Sequence, residues 1–351
     1  MSDIRSLIDR LYETGDLSKE ELREVITSND HDEYLQEKAR EVAVSIFGKD
    51  IYIRGIVEFS NYCRNDCYYC GIRAGNRNCE RYRMTPEEII SCADSGYDIG
   101  FRTVVLQSGE DLTYSTEDIC NIVRTLKEHH PDRAVTLSIG EKTREEYQAY
   151  YDAGADRYLL RHETYNKAHY EQLHPSSMSR DNRIRCLYDL KDIGFQTGCG
   201  IMIGTPGQTA DNIVEDLIFM KEFEPHMIGI GPFLPAANTP FADCPPGDVA
   251  LTLRLLSVIR LMLPKVLLPA TTALGTAETQ GREKGILAGA NVVMPNLSPV
   301  ENRGKYQLYD GKICISDDAA LCARCLTARL SNIGYRAVTG RGDHPDCAHL
   351  N

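Results

Sequence analysis

The sequence predicts an α/β chain: a (β/α)8 TIM barrel with N-terminal helices and a C-terminal extension. Three observations carry this. Short apolar runs recur at residues 51–59, 103–106, 134–139, 157–160, 197–203, 227–230, 266–269 and 291–294, as expected of strands buried on both faces. Helical-period segments separate most of them, the alternation of a parallel sheet. No G-x-G-x-x-G follows the first run, which disfavours the open doubly wound sheet as the alternative. The nearest glycine pattern, Gly198 to Gly204, has the wrong spacing and comes late.

Taken in order, residues 1–50 read as a helical segment packed on the barrel. Leu7, Ile8 and Leu11 share one face, and Leu35, Ala39, Val42, Ala43 and Ile46 another. Residues 51–310 form the barrel. Thr85-Pro86-Glu87-Glu88 combines a Thr cap, Pro in the first turn and early acids, a strong helix start. Thr116-Glu117-Asp118, Thr143-Arg144-Glu145-Glu146, Thr209-Ala210-Asp211 and Gly247-Asp248 open comparable segments. Gly96, Gly154, Gly194 and Gly289 fall where helices should stop. Residues 311–351 read as an extension with a closing helix over 319–330. After it, His344, Cys347 and His349 have ligand chemistry but read as a disordered tail.

The chain has 351 residues, 51 acidic and 39 basic, for a net charge of −12. Its 42% apolar and 26% charged content is that of a soluble globular protein. The acidic balance argues against nucleic acid as a partner. The charged opening, MSDIRSLIDRLYE, does not read as a signal peptide. The most apolar stretch, 255–275, is broken by Arg260, Pro264 and Lys265, so no membrane span is expected. Thirteen cysteines is an odd number, and without an export signal a disulfide framework is not expected. The thiols therefore read as reduced and the location as cytoplasmic.

Directly after the first run comes Asn61-Tyr62-Cys63-Arg64-Asn65-Asp66-Cys67-Tyr68-Tyr69-Cys70-Gly71. Three thiols spaced C-x3-C-x2-C at a strand's end can bind a 4Fe-4S cluster, which normally takes four thiolates. With three, one iron stays open to a small molecule, the logic of catalytic metal sites. A structural zinc site would want a fourth ligand, and no further Cys or His appears until Cys79.

Here the sequence resembles the radical S-adenosylmethionine (SAM) superfamily, whose signature is C-x3-C-x-aromatic-C, with Tyr69 in the aromatic place. The resemblance implies that Cys63, Cys67 and Cys70 hold the cluster and that SAM chelates its open iron. One electron would cleave SAM to methionine and a 5′-deoxyadenosyl radical. It also puts Tyr69 by the adenine and Ser108-Gly109-Glu110 at the methionine amino group.

Polar groups gather at the other run ends, one rim if the barrel is right. These are Gln107-Ser108-Gly109-Glu110-Asp111, Thr136 to Glu141, Arg161-His162-Glu163, Thr271-Thr272 and Met294-Pro295-Asn296. Glu163 can accept hydrogen bonds from ribose hydroxyls, and Arg161 or Arg183 can fork to a carboxylate. Helix caps and solvated faces are the plain alternative. His162-Glu163 begins like a zincin motif, but Asn166 stands where the second His belongs.

A narrower resemblance is to the HydE family of FeFe-hydrogenase maturases. It rests on Glu58-Phe59-Ser60-Asn61, Arg81 to Glu88, Leu106 to Glu110, Arg161-His162-Glu163-Thr164, Asn296-Leu297-Ser298-Pro299 and Tyr306, and it covers nearly the whole chain. It implies SAM contacts at Tyr69, Ser108, Glu163 and Arg183. Substrate would lie deeper, against Gln107, Thr136, Arg161, Thr271, Thr272, Met294 and Tyr306. The implied substrate is a cysteine-bound iron carbonyl–cyanide complex. The implied partners are the maturases HydG and HydF, with ferredoxin or flavodoxin as electron donor.

Cys314, Cys322 and Cys325, spaced C-x7-C-x2-C, are ligands for a second iron–sulfur cluster (2Fe-2S or 4Fe-4S), for zinc, or free thiols. The other seven cysteines show no ligand spacing. A methylornithine synthase or biotin synthase relative is the rival on the same barrel. An iron–sulfur carrier is the rival without catalysis.

Overall fold

In the computed structural model, residues 3–316 and 319–347 are described. Three helices come first: α1 (Ile4–Thr14), α2 (Lys19–Thr27) and α3 (Asp32–Phe47). The chain then enters the barrel with β1 (Asp50–Ile53) and β2 (Gly55–Ser60), two halves of one strand broken at Arg54. Next come α4 (Pro86–Asp98), β3 (Thr103–Ser108), α5 (Thr116–His129), β4 (Ala134–Ser138), α6 (Arg144–Asp152) and β5 (Arg157–Leu159). Two helices follow, α7 (Lys167–Leu173) and α8 (Arg180–Ile193). The run at 197–203 is split into β6 (Gln196–Cys199) and β7 (Met202–Ile203), with α9 (Ala210–Phe223) behind it. That at 227–230 becomes β8 (Met227–Ile228) and β9 (Gly231–Pro232), followed by α10 (Val249–Met262). Then come α11 (Thr272–Ala277), α12 (Gly281–Leu287), β10 (Val292–Val293) and α13 (Val300–Arg303). The chain closes with α14 (Ala319–Asn332) and β11 (Arg336–Val338).

Among the described residues the strands pair only in parallel, in the order β2-β3-β4-β5-β6-β8, and one lone antiparallel bridge joins Ser60 to Arg83. Single bridges carry the ladder on, from Met227 to Leu267 and from Pro269 to Val292. Tyr52 and Ile53 of β1 pair with Val292 and Val293, and Ile56 bridges Asn296. The circuit returns to its first strand, so the eight apolar runs form one barrel wall.

Helix starts follow side-chain chemistry. Thr85 accepts from the Glu88 N–H while Glu88 accepts from the Thr85 N–H, and Thr143 with Glu146 repeats the box. In α5 the cap is Ser115, one residue before the expected Thr116, because this puts Asp118 in the reciprocal position. Gly154, Gly194 and Gly289 follow helix ends with positive φ. Gly96 does not stop α4. A Cβ there would lie 2.4 Å from Leu297 Cδ1, so its role is close packing.

The N-terminal helices share the barrel's hydrophobic core. α3 buries Leu35, Ala39, Ala43 and Phe47, a row spaced by four, and Ile46 stays exposed off that row. Arg254 of α10 forks onto Asp32 at 2.6 and 2.7 Å.

The segment expected to be a disordered tail is ordered through Cys347; His349 lies outside the described residues. β11 pairs with β1, and residues 341–343 then lie across the N-terminal end of the barrel. There Arg54 donates to the Gly342 carbonyl (2.9 Å), and Arg157 to the Arg341 carbonyl (2.8 Å) and Asp343 (2.5 Å). Two buried guanidiniums need acceptors, and the tail supplies part of the set, with Arg54 Nε left without a partner. Among the described residues no helix is long and apolar enough to cross a membrane.

Candidate active site

The cysteine loop leaves the C-terminal end of β2 and is held by main-chain acceptors. Arg81 donates to the carbonyls of Asn61, Ile72, Arg73 and Asn76. Asp66 accepts a fork from Arg73 and the Gly75 N–H at 2.7 Å. Gly109 comes so close that a Cβ would sit 2.2 Å from the Tyr62 carbonyl, and the Glu110 N–H donates to Cys63 Sγ at 3.4 Å. Cys63, Cys67 and Cys70 are free thiols. Burial raises all three pKa values, Cys70 to about 12. Three thiolates are unfavourable in such surroundings unless a cation compensates them, which a cluster's irons do.

Tyr69 turns inward, its hydroxyl 3.1 Å from His174 Nε2. Glu163, on the next turn of the rim, is near enough to push Tyr69 and Cys70 further up. Glu163 has φ +64, unusual for a residue with a side chain, while its N–H donates to the Gly200 carbonyl at 3.0 Å. Behind it His162 and Asp216, both fully buried, pair at 3.2 Å, and Asp216 also takes the Tyr165 N–H. Arg183 is locked by Glu141 Oε1 (2.5 Å) and the Arg161 carbonyl (3.1 Å), with Glu110 at 4.0 Å. Glu110 faces Arg64 at 2.9 Å and accepts the Glu141 N–H at 2.9 Å. Ser108 donates to the neighbouring Gly109 carbonyl.

Several buried polar atoms at this end of the barrel have no hydrogen-bond partner: Arg161 Nε and Nη2, Glu163 Oε2 and Tyr170 OH, with Thr136 Oγ1 deeper, at the middle of β4. Arg161 and Glu163 approach to 3.1 Å, but without hydrogen-bond alignment. Buried groups left open in this way are rare, and together they fit a polar ligand. The expected substrate residues divide. Gln107 donates to the Tyr306 hydroxyl at 3.2 Å, beside a buried Lys312–Glu58 pair at 2.5 Å that Asn296 also joins. Thr271 caps α11, Thr272 accepts from Arg282 at 3.2 Å, and Met294 packs on the Met227, Leu267 and Val292 layer. Sequence reading gave Glu141 a place on the rim but no role, and missed Glu58, Lys312 and His174; Glu58 stands within a motif named above, and the other two carry no local signal.

In the extension, Arg282 donates to Cys314 Sγ at 3.6 Å, and contact with Cys314 pushes the buried Cys322 thiol up. Cys325 is exposed on the next turn of α14. Elsewhere, His226, His344 and Cys347 place ligand atoms within 4.8 Å of one another. Both rings, however, spend Nδ1 on backbone N–H groups, of Thr197 and Asp346. Their Nε2 atoms then carry the protons, leaving no imidazole lone pair for a cation.

Comparison with known proteins supplies the family. Residues 57–220 match the radical SAM superfamily. The chain is 45% identical over 334 residues to the "[FeFe] hydrogenase maturase subunit HydE" of Thermotoga maritima, covering 95% of both chains. It is 29% identical to 3-methylornithine synthase of Methanosarcina barkeri, over 85% of each. Among solved structures, methylornithine synthase superposes with TM-score 0.82 at 27% identity, over 95% of this chain and 97% of that one. The maturase HydG from Carboxydothermus hydrogenoformans gives 0.79 at 22% identity, over 96% and 79%, a likeness of fold. Its cysteine loop, its barrel and its near full-length relative together make this chain a member of the HydE family of radical SAM enzymes, which work with a 4Fe-4S cluster and SAM.

Proposed function

We propose that this enzyme acts in assembly of the FeFe-hydrogenase diiron site, and that its substrate is a small organometallic molecule, a cysteine-bound iron carbonyl–cyanide complex. The observation that carries the reading is the set of open polar atoms on Arg161 and Glu163, on one rim with the three thiols, with that of Thr136 deeper along β4. The 45% identity to a HydE over 95% of the chain supports the pathway. When bound, the cluster and SAM supply one-electron cleavage to methionine and a 5′-deoxyadenosyl radical.

The chain's own residues divide the remaining work. Cys63, Cys67 and Cys70 ligate the cluster. Tyr69, Ser108, Glu163 and Arg183 hold SAM, Glu163 by accepting from hydroxyls and Arg183 by its positive charge. Gln107, Thr136, Arg161, Thr271, Thr272, Met294 and Tyr306 line the substrate's place. Cys314, Cys322 and Cys325 hold a second, peripheral iron–sulfur cluster. HydG and HydF are the working partners, ferredoxin or flavodoxin the electron donor, and a reducing cytoplasm the location.

The test is anaerobic: reconstitute with iron and sulfide, reduce, add SAM and measure 5′-deoxyadenosine. Cys63→Ala, Cys67→Ala and Cys70→Ala should each abolish it, and Cys322→Ser should leave it within about twofold. No product from a loaded wild-type cluster sinks the radical reading. Failure of a product-forming enzyme to support hydrogenase maturation alongside the other maturases would move the substrate elsewhere on the same barrel.

A further inference from the structure

The short helix α7 and the turn after it contact the cysteine loop at three consecutive points. The Tyr68 N–H donates to the Leu173 carbonyl at 3.0 Å, the Tyr69 hydroxyl meets His174 Nε2 at 3.1 Å, and Met178 Sδ lies 3.7 Å from Cys67 Sγ. His174 is itself fixed. Its Nδ1 lies 2.9 Å from the Tyr170 carbonyl, which can only accept, so Nδ1 carries the proton and Nε2 accepts from Tyr69. Tyr170 stacks on the ring at 4.0 Å and Tyr69 meets it edge-on at 5.4 Å. The ring is buried, and burial lowers its pKa to about 3, so it stays neutral near pH 7. A charged imidazolium would have no acceptor for Tyr69. The Tyr170 hydroxyl, near enough to Cys67, Glu163 and Arg183 to feel their charges, is buried without a partner.

We infer that His174 is a positioning residue for SAM: it fixes the Tyr69 ring between the cluster loop and the Glu163 rim, so that the adenosine meets a preformed wall. The inference rests on the radical SAM reading of Tyr69. It adds the reason that a side chain between two ligand cysteines holds one orientation, a constraint from the turn after α7, more than a hundred residues away. A preset ring saves ordering it on binding, so its loss should weaken binding more than chemistry.

The experiment uses the reconstituted holoenzyme with His174→Phe, which keeps an aromatic ring and removes the acceptor, and His174→Gln, which keeps an acceptor. Iron content and the Kd for SAM are measured first. Steady-state assays with SAM varied, following release of deoxyadenosine, then give kcat and KM. Electron paramagnetic resonance of the reduced cluster is recorded before and after SAM. His174→Phe should load iron and give the wild-type signal without SAM. Its Kd and KM for SAM should rise about five- to tenfold, the loss of one buried hydrogen bond, while kcat changes less. The SAM-dependent change in the signal should shrink, and His174→Gln should restore most of the affinity. Unchanged SAM affinity in His174→Phe overturns the inference. So does equal weakening in both variants, or loss of iron from both, which would mark a packing role. Absence of product from the wild type would instead strike the reading beneath it.

Discussion

Two arginines four residues apart, one at each end of β5, meet opposite fates. Arg157, at the start of β5, is fully buried, and its guanidinium bonds Gln196, Thr103, the Arg341 carbonyl and Asp343. Arg161, just past the strand's other end, has Nε and Nη2 buried without a hydrogen-bond partner, with Glu163 at 3.1 Å out of alignment. Arg157 is saturated at one end of the barrel and Arg161 is left open at the other, although Arg54 beside Arg157 also keeps one buried nitrogen, Nε, without a partner. Saturation is what folding selects, and openness is tolerated where a ligand completes the set. The N-terminal end is therefore read as built for stability and the C-terminal end for chemistry.

The largest expected effect tests the saturated end. Asp343→Ala leaves Arg157 charged and buried without its carboxylate. Removing one partner of a buried pair costs about 3–5 kcal/mol. Denaturant unfolding should show that loss, while the turnover rate of SAM cleavage below the unfolding range stays near wild type. A stable variant with impaired catalysis would invert the assignment of the two ends.

Arg161→Met tests the open end. The wild-type guanidinium spends little on protein partners, so stability should change by less than about 1 kcal/mol. Product formation should fall roughly 30-fold or more, since truncating one partner of a buried charged contact costs about 2 kcal/mol upward. Normal turnover in Arg161→Met, or a stability loss like that of Asp343→Ala, would erase the contrast.

The two ends also differ in how far the sequence discloses them. The eight strands are legible because burial on both faces makes each a continuous apolar run. Cys63, Cys67 and Cys70 are legible because cluster geometry forces them into one short loop. Glu163 and Arg161 could be singled out from their place at a strand's end, but the left-handed backbone at Glu163 could not. The N-terminal end gave no signal. Asp343 is 186 residues from Arg157, and a lone acid in a polar tail looks like solvated loop until the guanidinium facing it is known. His174 is hidden for the same reason: its meaning comes from Tyr69, not from its neighbours in sequence. Local chemistry leaves local patterns, and a single long-range contact leaves none.

The smallest effect concerns pH and again separates the ends. Burial, with His226 beside it, lowers the His344 pKa from 6.5 to about 4, and Asp346, Lys265 and Arg260 also face it. Between these values the unfolded chain binds a proton that the folded chain refuses. The contribution of His344 is therefore fully present above 6.5 and is lost as pH falls toward 4. Acids with lowered pKa values, such as Asp111 and Asp346, are lost further down, below their ordinary value of 3.8, so the windows separate. Protonation at Nδ1 would also remove the acceptor for the Asp346 N–H. Unfolding midpoints measured at pH 7.5, 6.5 and 5.5 should decline in the wild type and decline less in His344→Gln, which stays neutral throughout. The decline should not vanish, because His174 at the other end is held neutral by the same physics and contributes with the same sign. Equal slopes in the two proteins would mean that the tail opens before its histidine titrates, and that the N-terminal end is less tightly closed than its hydrogen bonds imply.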